Sequence, residues 1–216
     1  MQALFLILFS KCKGIIFRLA VFQGNKINST ILPQADLEKL EVLELPGNTF
    51  SNLSNGTFEN LPNLKNLSLA SNHLQYVSKF AFEKLENLEE LILRGNFLKS
   101  TGISGFENLG KLLKLDLSQN LLQIIQKAIF ADLKSLKILK LNANKLTFLA
   151  PSTFTGLKKL EVLDLTENWF TTIDPAVFGP VMTSPVMIDV TTNPFICNCG
   201  IQAFLNWARV EGKRLM

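Results

Sequence analysis

The chain has little of what chemistry usually needs: one histidine, one tyrosine, two tryptophans and three cysteines in 216 residues. General acid–base and nucleophilic catalysis draw first on His and Cys. His73 has no evident Ser or Cys partner, and no phosphate-cradling glycine loop is present. No enzyme activity and no cofactor are expected. The lone pair Cys197 and Cys199 plus a single histidine supply too few ligands for a metal site. No run approaches the ~18 apolar residues of a membrane span. The excess of 22 Lys and Arg over 18 Asp and Glu gives a net charge of +4 and a pI near 9.0. These charges are spread without a long basic run or interleaved aromatics, so nucleic acid is not an expected partner. Linkers are also missing, and 47% apolar residues suffice for one continuous core.

What the chain does have is a period. Asn48, Asn72, Asn96, Asn120, Asn144 and Asn168 stand 24 residues apart, with Asn25 a 23-residue step before and Asn193 a 25-residue step after. Around each the frame is LxxLxLxxNxL, as in Leu64, Leu67, Leu69, Asn72, Leu74 or Leu112, Leu115, Leu117, Asn120, Leu122. The LxL alternation is the period of a strand, so the leucines point inward and the residues between them line one outer face. Asn closes the strand because its amide supplies both donors and an acceptor to a buried turn. Phe58, Phe82, Phe106, Phe130, Phe154 and Phe178, ten residues after each Asn, pack the opposite half. We read an α/β leucine-rich-repeat solenoid: a curved horseshoe with a parallel sheet on its concave face and loops and short helical turns on its convex face. The array spans residues 15–192 in about eight repeats, the end ones degenerate.

The termini carry separate signals. Residues 3–9 are a short apolar run, and we read residues 1–14 as a possible signal peptide. Its first residues carry no Lys or Arg and the site Cys12-Lys13-Gly14 is a poor cleavage sequence, so a truncated gene model and a first buried strand remain alternatives. Four N-x-S/T sequons, at Asn28, Asn52, Asn55 and Asn66, point to secretion or to the ectodomain of a cell-surface receptor, and none uses a ladder Asn. A glycan on Asn66 is expected to lie on the concave strand of its repeat.

Residues 193–200 read NPFICNCG, followed by Ile201, Phe204, Leu205 and Trp207 at helical spacing. This resembles the cysteine-rich C-terminal cap of extracellular leucine-rich-repeat proteins. Together with the repeats and the segment FLNWA, it looks like the last part of a Toll-like receptor ectodomain. Guidance proteins, neuronal adhesion receptors and small proteoglycans share this grammar. The resemblance implies an innate-immune pattern-recognition module that binds microbial or protein ligands. An adhesion or guidance module, or a soluble decoy or partial product without signalling activity, is the alternative. It also implies that each cap cysteine pairs with a downstream cysteine. None precedes Met216, so residues 193–216 are expected to form a truncated cap with Cys197 and Cys199 unpaired. The expected apolar face of its helix is Ile201, Phe204, Leu205 and Ala208.

Two surfaces are candidates for binding. One concave column runs Val21, Glu44, Ser68, Ile92, Asp116, Lys140, Asp164, Asp189, and a neighbouring one runs Glu41, Lys65, Glu89, Leu113, Lys137, Glu161. Signs alternate down both, so much of this charge is expected to satisfy itself. What does not cancel gathers in the C-terminal half, where Asp116, Lys137, Lys140, Glu161, Asp164, Glu167 and Asp189 form the candidate ligand face. The carboxylates lie on a flat sheet rather than in a closed loop, which argues against calcium. The second surface is an edge. The residue after the ladder Asn is usually polar but becomes Phe97, Leu121 and Trp169, a candidate contact for a partner or for a homo- or heterodimer.

Overall fold

The computed structural model describes residues 18–28, 37–104, 106–126, 129–182, 185–197 and 201–211. The expectations for residues 1–14 and for Cys199 fall outside them. Eight three-residue strands, β1 (Leu19–Val21), β2 (Val42–Glu44), β4 (Asn66–Ser68), β6 (Glu90–Ile92), β7 (Lys114–Asp116), β8 (Ile138–Lys140), β9 (Val162–Asp164) and β10 (Met187–Asp189), form one parallel sheet in chain order. Two short strands, β3 (Asn52–Leu53) and β5 (Tyr76–Val77), pair separately beyond the turn that follows the ladder. The register advances one repeat per strand: Leu43, Leu67, Leu91, Leu115, Leu139 and Leu163 lie side by side. Matching leucines therefore stack into a single buried core that runs the length of the array.

The asparagine ladder makes the bonds its position demands. The Asn72 side chain donates to the Leu69 carbonyl of its own repeat (3.0 Å) and to the Leu45 carbonyl of the repeat before (2.9 Å). Its carbonyl oxygen accepts from the Phe50 amide at 3.1 Å. Asn96, Asn120, Asn144 and Asn168 repeat the pattern, and all of these amides are buried. Each ladder residue thus bolts two repeats together. The residue before the Asn is left-handed in every repeat: Gly24, Gly47, Ser71, Gly95, Gln119, Ala143, Glu167 and Thr192 have φ between +53° and +69°. That turn swings the Asn inward. Glycine bears it without a Cβ penalty, whereas the non-glycine residues bear it at a cost.

The sheet side and the phenylalanine side differ in spacing, and the difference bends the array. Parallel strands sit ~4.8 Å apart. On the opposite side the stacked rings Phe58–Phe82, Phe82–Phe106, Phe106–Phe130 and Phe154–Phe178 are 5.9, 6.4, 6.4 and 6.5 Å apart. The wider spacing makes the ring side convex and the sheet concave. The stack continues into the cap, where Trp207 of the C-terminal α-helix (Gln202–Glu211) lies 4.9 Å from Phe178. Ile201, just before that helix, and Phe204 in its first turn are buried, and Trp207 and Ala208 pack against the core. Leu205, expected on the packed face, is instead exposed. The i, i+3 line through residues 201, 204 and 207 meets the coil, and the ring of Trp207 fills the place assigned to Leu205.

Candidate functional site

The concave C-terminal half is built from β7 to β10. Asp116, Lys140, Asp164 and Asp189 are direct neighbours in the register, as expected. Their carboxylates are committed to the backbone. Asp116 Oδ1 accepts from the amide and hydroxyl of Ser118 (2.9 and 2.6 Å), Asp164 Oδ1 from those of Thr166 (3.1 and 2.8 Å), and Asp189 Oδ1 from those of Thr191 (2.9 and 2.8 Å). Each D-x-S/T thus closes the end of its strand. Asp116 is buried, and Lys140 lies between Asp116 and Asp164, where its charge offsets theirs. Lys137 and Glu161 pair at 2.7 Å, and Glu167 stands exposed on the left-handed turn rather than on a strand. What remains for a ligand is a polar sheet that keeps an acidic excess, five carboxylates against two lysines, with three of the carboxylates engaged by neighbouring amides and hydroxyls. Among the described residues no cluster of three or more His, Cys, Asp or Glu could hold a metal ion.

The N-terminal half of the same face is denser in ion pairs; the candidate columns included Glu41 and Lys65 but passed over Glu90 and Lys114. Glu90 accepts from Lys114 Nζ at 2.6 Å and from Asn66 Nδ2 at 2.9 Å. Glu41 pairs with Lys65 at 2.9 Å and with Arg18 at 3.3 Å. The hydrogen bond and charge of Lys65 hold the Glu41 carboxyl below its usual range, and Glu41 raises Lys65 in turn. The signal was available: Asn66, Glu90 and Lys114 flank the inward leucines of their repeats, so strand alternation alone puts them outside.

The edge carries the apolar surface. Phe97 and Trp169 are about half exposed, at 47% and 54%, and Leu121 is partly covered. Lys145 interrupts their line and lays its ammonium 5.6 Å from the Trp169 ring, while His73 lies 5.8 Å from Phe97. A second row, three residues further along each repeat, was not foreseen: Tyr76, Ile124 and Phe148 are 47%, 51% and 60% exposed. Tyr76, Phe97 and Leu121 share a cleft of about 470 Å³ with Asn52, Gln75, Lys99, Thr101 and Gly102. The edge is therefore two rows deep.

Sequon residues Asn28, Asn52 and Asn55 are exposed. Asn66 lies on the concave strand, where its amide nitrogen is held by Glu90. Asn55 accepts from the Ser78 hydroxyl. In the cap Cys197 is an exposed free thiol. No helix among the described residues is long and apolar enough to cross a membrane.

Comparison with known proteins agrees with this architecture. No curated protein matches the sequence. Among solved structures, the chain is similar to one from an octameric complex of latrophilin 3, Unc5D and FLRT2 (LRR), at 27% identity and a TM-score of 0.73, covering 92% of this chain and 68% of that one. It is similar to human trophoblast glycoprotein (Wnt-activated inhibitory factor 1) at 25% identity and a TM-score of 0.76, covering 92% and 78%. An LRR protein of Leptospira interrogans matches at 25% identity and a TM-score of 0.74, and this chain spans only 48% of that protein's chain. Repeats of this kind are typically non-enzymatic scaffolds that bind proteins. Residues 51–183 match the BspA-type leucine-rich-repeat region in six copies, and the chain belongs to that family.

Proposed function

We propose that the chain is a protein-binding module of a secreted or cell-surface protein, with the array at residues 15–192 closed by a cap at 193–216. It engages its partner through the lateral edge. The observation that carries this reading is the two-row apolar strip, above all Ile124, Phe148 and Trp169. Large exposed side chains on successive repeats are the anchors a partner buries, whereas much of the concave charge is already paired. Asp116, Lys137, Lys140, Glu161, Asp164, Glu167 and Asp189 then form the polar rim beside it.

The likeness to a chain from the FLRT2 complex supports an adhesion or guidance role. A second reading, a pattern-recognition receptor of the Toll-like type, is supported by NPFICNC and FLNWA in the cap. Binding of the purified chain to an array of cell-surface ectodomains and to microbial lipopeptides distinguishes the two. In either case Phe148→Asp with Trp169→Asp should weaken the best binder by roughly 30-fold, as loss of a hot spot of about 2 kcal/mol requires. Unchanged affinity in a folded double variant rejects the edge as the docking surface.

A further inference from the structure

The cleft at the N-terminal end of the edge has an attachment point on its rim. Asn52 of the sequon Asn52-Leu53-Ser54 pairs directly with Tyr76 across β3 and β5. Paired residues on neighbouring strands project to the same side ~4.8 Å apart, within reach of stacking. Asn52 is exposed, and its amide nitrogen makes only a 3.3 Å contact with the adjacent Ser51 hydroxyl. Asn66 differs in having its nitrogen tied to Glu90. The cleft lining is mixed, with Asn52, Gln75, Lys99 and Thr101 beside the rings of Tyr76 and Phe97, and its backbone is firm. Tyr76 and Phe97 both line it, and the turn Ser100–Gly102 packs against Gln75 with no room for a side chain on Gly102. Ser104 Oγ holds that turn to the Val77 carbonyl at 2.9 Å, and Ser100 Oγ accepts from the Ile124 amide at 2.8 Å. A volume of about 470 Å³ is within the range that holds a small ligand.

We propose that Asn52 carries an N-linked glycan whose first sugars lie in this cleft, with their C–H faces against Tyr76 and Phe97. The inference rests on the secretion reading. In the transfer, Asn52 Nδ2 displaces the pyrophosphate of a lipid-linked oligosaccharide at the anomeric carbon. A C–N bond forms, the C–O bond to pyrophosphate breaks, and the amide proton leaves with the pyrophosphate. The glycan covers the apolar end of the edge and leaves Ile124, Phe148 and Trp169 as the part open to a partner.

Tyr76 is the only tyrosine in the chain, so it reports on its own cover. The 216-residue chain, secreted from eukaryotic cells, is mapped by intact glycopeptides and nitrated before and after peptide-N-glycosidase treatment. The expected result is an occupied Asn52, nitration several-fold slower with the glycan in place, and no loss of protection on trimming to a single N-acetylglucosamine. Asn52→Gln should lower Tm by about 2–4 °C in the wild type but not in a Tyr76→Ala, Phe97→Ala background. An occupied Asn52 with equal nitration rates overturns the proposal, because the sugar then points into solvent. An empty Asn52 beside a glycan at Asn28, Asn55 or Asn66 overturns it while secretion stands. No glycan on any sequon of the secreted-pathway product overturns both.

Discussion

At the scale of residues, stability is concentrated in the ladder and the leucines it encloses. Asn120 donates to the carbonyls of Leu93 and Leu117, each at 3.0 Å, and accepts from the Leu98 amide at 3.1 Å. Asn120→Ala strands these buried groups, and at ~1–3 kcal/mol each the loss should reach about 3 kcal/mol or more in denaturant unfolding. Leu117→Ala opens a core cavity and should cost ~2–5 kcal/mol. A loss under ~0.5 kcal/mol in either variant would count against the register. The opposite sign is expected at Ala143, whose φ is +53°. A left-handed non-glycine residue costs ~1–2 kcal/mol, more than the ~0.5–1 kcal/mol of extra chain entropy that glycine brings, so Ala143→Gly should raise the unfolding midpoint. Glu41 tests the concave ion pairs. Its folded pKa is lowered, so its contribution is present above the unfolded value and is lost as pH falls through the lower folded one. Lys65 is raised, and its contribution disappears as pH rises through that raised value. In an NMR titration the Glu41 carboxyl should have its midpoint below 4.5 and move back toward it in Lys65→Ala. A midpoint indifferent to that substitution would show that the pair does not persist in solution.

The elements differ in how much of their stability is their own. Each strand of the main sheet is three residues long and stands only because its neighbours complete its bonds, whereas the C-terminal helix is attached on one side only. Trp207 is its main anchor, 4.9 Å from Phe178 and 5.7 Å from Phe204. Trp207→Ala should cost ~1–3 kcal/mol, less than a fully buried aromatic because the ring is only partly covered. Hydrogen exchange should accelerate across residues 202–211 and stay unchanged in β4 and β6. Equal acceleration throughout would mean that cap and array unfold as one unit. The packing face of this helix could not be read from spacing alone, since Leu205 and Trp207 are both apolar and only the position of Phe178 decides between them. The strands and their register were legible because identical copies of one frame must stack in phase. Charge columns were legible too, but not the commitment of Asp116, Asp164 and Asp189. D-x-S/T reads as an exposed acid in a list of columns and as a strand-end cap only when the turn geometry places Ser118, Thr166 and Thr191 within bonding distance. Tyr76, Ile124 and Phe148 were missed for a similar reason: their repeat position holds Asn52 and Ser100 elsewhere, so no periodic apolar signal marks it.

For the molecule as a whole, contacts run between adjacent repeats, and the curvature follows from the wider ring spacing on the convex side. Such an array has no closed core that a missing part would open. Excising residues 145–168 joins Asn144 directly to Trp169 and removes one whole repeat while preserving the frame on both sides. Leu141 then meets Asn193 where it met Asn168, and the leucine columns re-form with one member fewer. We expect this shortened chain to fold cooperatively, with a denaturant m-value lower by about an eighth because one strand in eight has been removed. Excising only the twelve residues 145–156 should fail, because it brings the convex half of one repeat against the strand of the next and places Leu160 where no inward position waits. If both deletions unfold, the repeats are not interchangeable and stability resides in contacts peculiar to β8 and β9. If both fold with the same m-value, the 24-residue phase is not what holds the solenoid together.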